Sequence, residues 1–415
     1  MKKWLTFIMV SVALLAEPSQ PRLFSPIGAA TNEAIDVSPQ PCDARCLARL
    51  LKEEKEFSFL ARYNNANDDG SLSAEYQRLA AFLNLSMPQV NGERIAVLIP
   101  SESIGRYSVI VSNSVSAYLL SKGKPFEMRV FDSADEKPES LENAVKEIEA
   151  AGFNRALAAL TVDGARTIAS MNPTIELYIP TVNRNEIIYA PNNLYFGGID
   201  YPRQLEALSQ YANRFRTFVL SEPSALSQKI TAAADAILPT PASRVTLDNP
   251  RVNFSQLFKT HKIGAGASIL LNTQPVRTSM ALSQITFNDI RIASALSTQM
   301  NYNPLLLTLP QSDDVKNLYI ANAIGPGNMT LRDINQLLRN DLRFDWTAYA
   351  SSAMAAMISQ RNGGDYSPRV ELFGLELEDN QIQYPIKIYQ IKNARFVLAP
   401  PPPEGPVNQL LPPIE

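Results

Sequence analysis

Apolar and polar positions alternate along this chain with two different periods. Short apolar runs of strand length are separated by longer segments in which apolar residues recur every three to four positions. Between Arg94 and Ile179 the runs are Ile95–Ile99, Phe126–Phe131, Ala156–Leu160 and Leu177–Ile179. Alternation of strand and helix patterns is typical of a parallel sheet covered by helices. The sequence therefore predicts an α/β fold.

A second set of the same patterns follows the first. Strands are predicted at Leu194–Ile199, Thr217–Leu220, Val245–Leu247, Ala267–Leu271 and Leu305–Leu309, and helices at Tyr201–Phe215, Ala225–Ile237, Phe254–Phe258 and Val276–Thr286. A further helix is expected at Asp345–Ile358, and the alternating segment Gly374–Val397 favours an edge hairpin. Two α/β sets in tandem predict two lobes that face each other across a cleft, the second with the smaller sheet.

The first residues have the pattern of an export signal. Lys2 and Lys3 precede the apolar stretch Trp4–Ala16, which is too short to span a bilayer. We interpret this stretch as a secretory signal peptide, with an uncleaved anchor as the alternative because Leu14 is bulky for a cleavage site. The expected location of the mature chain is the periplasm, without an integral membrane span after signal cleavage.

These patterns divide the chain into five parts. The predicted parts are a signal peptide (1–16), a flexible lead-in (17–40), a short helical hairpin (41–90), a two-lobed domain (91–398) and a disordered proline-rich tail (399–415). In the hairpin, apolar residues recur at helical spacing from Cys46 to Tyr63 and again from Leu72 to Leu85. Its apolar stripe is expected to pack on the main body or on a partner.

Cys42 and Cys46 are the only cysteines. In an oxidising compartment a pair this close is expected to form a structural disulfide, with free thiols as the alternative. A redox centre would more naturally have two intervening residues, and a metal site would need further ligands. We therefore predict no metal site.

Composition and motifs disfavour several classes of function. The formal net charge is -3, and no long run of either sign offers a surface for nucleic acid. A catalytic triad would depend on His261, the only histidine, and no Gly-x-Ser-x-Gly motif accompanies it. No phosphate-binding loop motif occurs. We expect a protein that is not an enzyme and has no cofactor.

Three segments resemble a known family. They are Arg94–Pro100 leading into Ile104–Tyr107, then Arg343–Ala350, and last Phe373–Asn380. Each is similar to a recurring element of the type I periplasmic binding proteins, the Venus-flytrap fold of branched-chain amino-acid receptors. The likeness covers about Arg94–Val397. It implies a ligand held between the two lobes.

The resemblance implies that the loop from Pro100 to Tyr107 and the helix after it form one wall of that cleft. Amides at a helix start favour an anion, and Ser101 and Ser103 could add hydroxyl donors. In the alternative interpretation the serines only cap the helix.

Further candidates lie at the carboxyl ends of later strands, where open α/β sheets bind ligands. In the family this region carries small hydroxyl residues that hold an amino-acid backbone. Thr161 matches that pattern, whereas Asp163 departs from it and puts an ordinary amino-acid site in doubt. Asp163 could instead cap a helix. Tyr201 lies near the expected crossing between lobes, where packing is the alternative role.

Two functions remain open from the sequence. The first is a non-enzymatic scaffold or regulator of a cell-envelope assembly, because outer-membrane activators of penicillin-binding proteins look like this in their C-terminal domain. The hairpin, the proline-rich tail and the departure at Asp163 favour this hypothesis. The alternative is a receptor for a small, polar, amino-acid-like ligand that feeds a transporter or sensor. The expected partners are accordingly envelope proteins or a small-molecule ligand.

Overall fold

The computed structural model describes Asp36 and residues 42–63, 72–82, 93–213, 216–238, 241–249, 251–325 and 329–402. The predicted signal peptide, most of the lead-in and most of the tail lie outside these residues. Two compact units are present, Met1–Gln89 and Val90–Glu415.

The first unit contains helices α1 (Ala44–Lys52), α2 (Glu56–Arg62) and α3 (Ser73–Phe82). The expected single helix up to Tyr63 is broken because Glu54 has φ +55°, a left-handed conformation that ends the helix. Cys42 and Cys46 form a disulfide, with their Cα atoms 5.2 Å apart. The buried core of this unit comprises Cys42, Leu47, Leu50, Phe59 and Leu79.

The second unit contains two sheets, each the centre of one lobe. The first lobe contains β1 (Glu93–Ile99), β2 (Phe126–Asp132), β3 (Arg155–Ala158), β4 (Glu176–Ile179), β5 (Leu194–Phe196), β11 (Arg369–Val370), β12 (Leu375–Glu378) and β13 (Gln381–Gln383). Its helices are α4 (Ser101–Ile104), α5 (Tyr107–Ser121), α6 (Pro138–Ala150), α7 (Val162–Met171), α12 (Met329–Leu338) and α13 (Trp346–Asn362). The strand order is β11-β12-β13-β5-β4-β3-β1-β2, with β1 to β5 parallel.

The second lobe contains β6 (Thr217–Ser221), β7 (Pro241–Thr246), β8 (Ser268–Asn272), β9 (Ser294–Ser297), β10 (Leu318–Asn322), β14 (Lys387–Lys392) and β15 (Arg395–Leu398). Its helices are α8 (Tyr201–Ser209), α9 (Ala225–Ile237), α10 (Phe254–Thr260) and α11 (Pro275–Phe287). The strand order is β15-β14-β10-β9-β8-β6-β7, and the β14–β15 hairpin adds antiparallel to β10. The sheet has seven described strands, against eight in the first lobe.

Strand β1 shows why these apolar runs become central strands. Ile95, Val97 and Ile99 join the core formed with α5 and α13. Ala96 and Leu98 face the opposite way, into the core formed with α6 and α7. A strand buried on both faces has to be apolar at every position, which is why the run is continuous instead of alternating.

Two sequence predictions in the second unit were wrong. The run expected as a strand at Leu305–Leu309 begins instead as a short 3-10 helix, Pro304–Leu307, which the side chain of Asn303 caps through the Leu305 amide at 3.0 Å. The strands of this part of the sheet are β9 and β10, and the residues Ser-Ala-Leu-Ser of β9 give no apolar run. Gly374–Val397 forms two hairpins in different sheets instead of one.

The chain crosses between the lobes at three places. It leaves the first lobe after β5, returns between β10 and α12, and leaves again between β13 and β14. The carboxyl ends of β1–β5 in the first lobe and of β6–β10 in the second lobe therefore lie at the sheet edges from which the crossing segments leave. The candidate site is at these two edges.

Candidate functional site

A carboxylate of the chain itself lies at the first predicted anion site. Asp132, at the end of β2, accepts hydrogen bonds from the Ser101 hydroxyl at 2.6 Å and the Ser101 amide at 3.1 Å. The amide of Ala134 donates to the same carboxylate at 2.8 Å. Partial burial acts to raise the pKa of Asp132, but the hydrogen bonds from Ser101 and Ala134 outweigh it and lower the pKa below the ordinary 3.8.

The second predicted site is occupied in the same way. Thr161 caps α7 through the Gly164 amide at 3.3 Å. The carboxylate of Glu136 accepts from the Thr161 amide at 2.7 Å and from the Thr161 hydroxyl. A Cβ atom at Gly164 would overlap that carboxylate, so the glycine makes room for Glu136. Glu136 thus uses the Thr161 hydroxyl that the family resemblance implied for a ligand, together with the Thr161 amide at the start of α7.

A third carboxylate takes the equivalent place in the second lobe. Glu222 follows β6, is 8% exposed, and accepts from the Gln274 amide at the start of α11 at 3.3 Å. Its other oxygen lies 3.4 Å from Nε of Arg277. At these three places along the carboxyl edges of the two sheets, a carboxylate of the chain itself accepts from the amide at a helix start.

An ion pair joins the two lobes beside these positions. Glu186, which follows β4 in the first lobe, lies 2.6 Å from Nζ of Lys229 on α9 in the second lobe. The second oxygen of Glu186 accepts a hydrogen bond from the Asn183 amide at 3.1 Å. This bond orients the Glu186 carboxylate toward Lys229. Because 38% of the Lys229 side chain is exposed, the pair contributes modestly, about 0.5 to 1 kcal/mol.

Two tyrosines lie on opposite sides of the same gap. Tyr107 begins α5 and is 44% exposed, whereas Tyr201 begins α8 and is only 8% exposed. The ammonium group of Lys229 lies 5.5 Å from the Tyr201 ring centroid. Burial raises the pKa of Tyr201 above its ordinary value, and Glu186 and Tyr107 act in the same direction. Tyr201 therefore lies beside the interlobe ion pair.

The first crossing between the lobes is tightly packed. The carbonyl of Gly198 accepts from the side-chain amides of Asn183 and Gln381, both at 3.2 Å. The carbonyl of Gly197 accepts from the Tyr384 hydroxyl at 2.9 Å. A Cβ atom at Gly198 would overlap the backbone of Val182, so this position requires glycine for close approach.

Buried amides connect the second crossing to the first. Gln299 donates to Oδ1 of Asn322 at 2.8 Å and accepts from the Ala323 amide at 2.6 Å. Its own amide donates to Oε1 of Gln204 on α8 at 2.9 Å. The cavity at the crossings has a volume of only about 10 Å³. That space is smaller than an amino acid requires, since ligand pockets generally run from about 300 Å³ upward.

The predicted site residues thus have different environments. Ser101 and Thr161 lie at the carboxyl edge of the first sheet, and each binds a carboxylate of the chain. Ser103 is exposed, and Asp163 pairs with Arg166 at 2.9 Å. Sequence patterns did not predict that Asp132, Glu136 and Glu222 would occupy these positions, nor that Glu186 would pair with Lys229. The only signal for the first-lobe groups was that Asp132 and Glu136 lie just after a predicted strand.

His261, the only histidine of the chain, contacts a serine. Nδ1 of His261 lies 2.8 Å from the hydroxyl of Ser243, a pair distant from the cleft at the start of β7 and the end of α10. Among the described residues, no group of three or more His, Cys, Asp or Glu side chains could hold a metal ion. Within the same part of the chain, no helix has the length and apolar character needed to cross a membrane.

Comparison with known proteins identifies the fold. No protein-family model matches the chain, and no curated protein matches its sequence. Among solved structures, the leucine binding protein LivK of Thermotoga maritima MSB8 matches with a TM-score of 0.52 at 12% identity, covering 74% of this chain and 98% of that chain. A branched chain amino acid ABC transporter protein of Thermus thermophilus with bound valine also gives 0.52 at 12% identity, covering 77% and 98%.

A different kind of protein matches equally well. The LpoA C-domain of Haemophilus influenzae, described as a regulator of PBP1A, has a TM-score of 0.53 at 12% identity, covering 74% of this chain and 100% of that domain. The fold is the two-lobed type I periplasmic binding protein fold, as the sequence resemblance predicted. At this identity the likeness shows the fold, which receptors and a regulator share.

Proposed function

We propose that this chain acts in the periplasm as a non-enzymatic scaffold or regulator of a cell-envelope assembly, with the two-lobed domain serving as a protein-docking body. The observation that carries the proposal is the occupation of the helix start at Thr161 by Glu136. A receptor for amino acids needs these amides and hydroxyls for its ligand, and here a side chain of the chain already uses them.

The crossings support the same proposal. A receptor closes on its ligand by movement at the segments that join its lobes. Here Gln299 accepts a buried hydrogen bond from the Ala323 amide, and Gln381 and Tyr384 donate to the crossing carbonyls of Gly198 and Gly197. The Glu186–Lys229 pair also joins the lobes. Such a body is suited to present a fixed surface to a partner.

A candidate for that surface is the loop after β4. Ile188 and Tyr189 are 83% and 87% exposed, although the loop backbone beneath them is fixed. Arg184 donates to the Ile187 carbonyl at 2.7 Å, and Ile187 itself is 2% exposed. An exposed aromatic and an exposed aliphatic side chain on a rigid support have the character of interface anchors.

The partner that we propose is a penicillin-binding protein, by analogy with the regulator that shares the fold. The test is photo-crosslinking in intact cells, with a photoreactive residue in place of Tyr189 and, as a control on the second lobe, in place of Phe287, which is 80% exposed. Captured penicillin-binding proteins are detected with a fluorescent penicillin. Capture at Tyr189 and not at Phe287 would support the proposal, and capture of transporter components alone would overturn it.

The alternative function is a solute receptor, favoured by the amino-acid binding proteins among the structural neighbours. Thermal unfolding with leucine, valine and short peptides separates the two functions. A receptor saturated at about 100 times its dissociation constant gains about 2.7 kcal/mol in stability. We expect no shift from any of these compounds, and a clear shift from one of them would favour the receptor.

A further inference from the structure

A pocket of the second lobe differs most from the interlobe cleft, where carboxylates of the chain occupy the predicted ligand positions. This pocket has a volume of about 350 Å³ and lies between the 3-10 helix Pro304–Leu307 and the turn of the β14–β15 hairpin. Its floor is apolar and well packed, because Leu306, Val315 and Ile391 are 1%, 3% and 7% exposed. The volume falls in the range of small-ligand pockets, about 300 to 1,000 Å³.

The rim of this pocket carries positive charge that has no acidic partner in the described part of the chain. Lys316 and Lys392 line it, and both are exposed. Arg395 lies directly opposite Lys392 in the hairpin register, so the two cations share one face of the strands. Among residues 93–213, 216–238, 241–249, 251–325 and 329–402, no ion pair of 4.0 Å or less involves any of these three side chains.

Asp314, the acidic residue closest in sequence to Lys316, has other hydrogen-bond partners. Asp314 already accepts from the Ser283 hydroxyl at 2.6 Å and the Gln311 amide at 3.0 Å. Like charges directly opposite each other on paired strands destabilise a hairpin. An anion bound beside Lys392 would relieve its repulsion with Arg395, while an apolar group would lie over the floor of the pocket.

We propose that this pocket binds an aliphatic carboxylate, a small amphiphile whose hydrocarbon chain lies against the half-buried Leu307 and Pro310 above that floor and whose carboxylate lies between Lys316 and Lys392. The charge of the rim selects the anionic head, and the apolar floor selects the chain. This site is separate from the interlobe cleft, so it does not depend on the function proposed above.

The direct test is titration calorimetry of the full chain with octanoate, and with octanol as a neutral compound of the same chain length. We expect octanoate to bind about tenfold more tightly than octanol, because two cations contact only the carboxylate. Shortening the chain to hexanoate removes two methylenes, and each buried methylene contributes about fourfold in affinity, or ~0.8 kcal/mol. Equal affinities for octanoate and octanol, or no binding of octanoate, would overturn the proposal.

Two further measurements place the ligand. The double variant Lys316→Gln/Lys392→Gln should bind octanoate about tenfold more weakly and octanol unchanged, whereas Lys387→Gln, an exposed lysine at the other end of β14, should leave both unchanged. In methyl-labelled protein, octanoate should shift the NMR signals of Val315 and Ile391. Unaltered binding by the double variant, or shifts confined to other methyl groups, would show that the pocket is not the site.

Discussion

The carboxyl edge of the first sheet and the pocket of the second lobe use their charges in opposite ways. At the edge, Asp132, Glu136 and Glu186 each have a hydrogen-bond or ion-pair partner within the chain. At the pocket, Lys316 and Lys392 surround an apolar floor without a carboxylate partner among the described residues. Where this fold usually binds ligands, carboxylates of the chain thus already have partners within the chain. Binding capacity follows from unsatisfied groups, and topology alone does not supply it.

The packing of the crossings keeps the carboxyl edge of the first sheet in its observed geometry, and substitution of Gly198 should have the largest effect on it. Gly198→Ala would place a Cβ atom against the backbone of Val182, and overpacking of this kind costs about 2 to 3 kcal/mol. Urea unfolding measures the loss. Gly264→Ala is the matched control, because a Cβ there meets nothing nearer than 3.9 Å. Similar stability for both variants would show that the crossing is looser than described.

Substitution of Glu136 tests whether its carboxylate occupies the ligand position at Thr161. Glu136→Ala should lower the free energy of unfolding by about 1 kcal/mol, because it removes charge-assisted hydrogen bonds at a helix start. Glu147→Ala, an exposed glutamate of α6 that lies outside the first turn of that helix, should change stability little. In calorimetry with leucine and valine, gain of binding by Glu136→Ala would show that the fold's ordinary site survives beneath the carboxylate. Absence of binding would show that other contacts are also lost.

The ion pair between the lobes should have a smaller effect. A double-mutant cycle with Glu186→Gln and Lys229→Met isolates its coupling energy, which we expect to be about 0.5 to 1 kcal/mol. Because the pair is partly exposed, the coupling should weaken as salt is added. A coupling near zero in low salt would mean that the crossings alone hold the lobes.

Asp132 provides the smallest effect and a pH signature. Its pKa in the folded chain is lowered below 3.8, so it stabilises the fold above about pH 4, and this stability is lost as the pH falls through the lowered value. Asp132→Asn should therefore cost less than about 0.5 kcal/mol near neutral pH, given its exposure. The difference from the parent should disappear in acid. Unfolding curves across that range measure it, and a difference that grows in acid would contradict the assignment.

Local pattern predicted well those elements that keep one regular apolar pattern along their whole length. The helix Ala225–Ile237 has the predicted bounds, and β1 extends the predicted run by only two residues. The prediction of strands was wrong where an apolar run does not form a strand, or where a strand has no apolar run. Leu305–Leu309 has strand composition, but Pro304 and the Asn303 cap begin a 3-10 helix, whereas Ser294–Ser297 is a strand because neighbouring strands pair with it.

The candidate site shows the same division. Sequence located Ser101 and Thr161 at the carboxyl ends of strands, because strand and helix order fixes which loops meet at that edge. It could not show that Asp132 and Glu136 bind them, since those contacts span 31 and 25 residues. The pocket was also invisible, because it joins residues near 306 and 315 to a hairpin turn near 393.

By itself the sequence determined the α/β class, the two tandem lobes and the resemblance to type I periplasmic binding proteins, because these follow from local periodicity and element order. Only the tertiary structure decided which polar groups satisfy one another. Glu136 occupies a helix start, and Lys316 has no acidic partner among the described residues, because of distances across the folded chain. Periodicity carries no information on those distances.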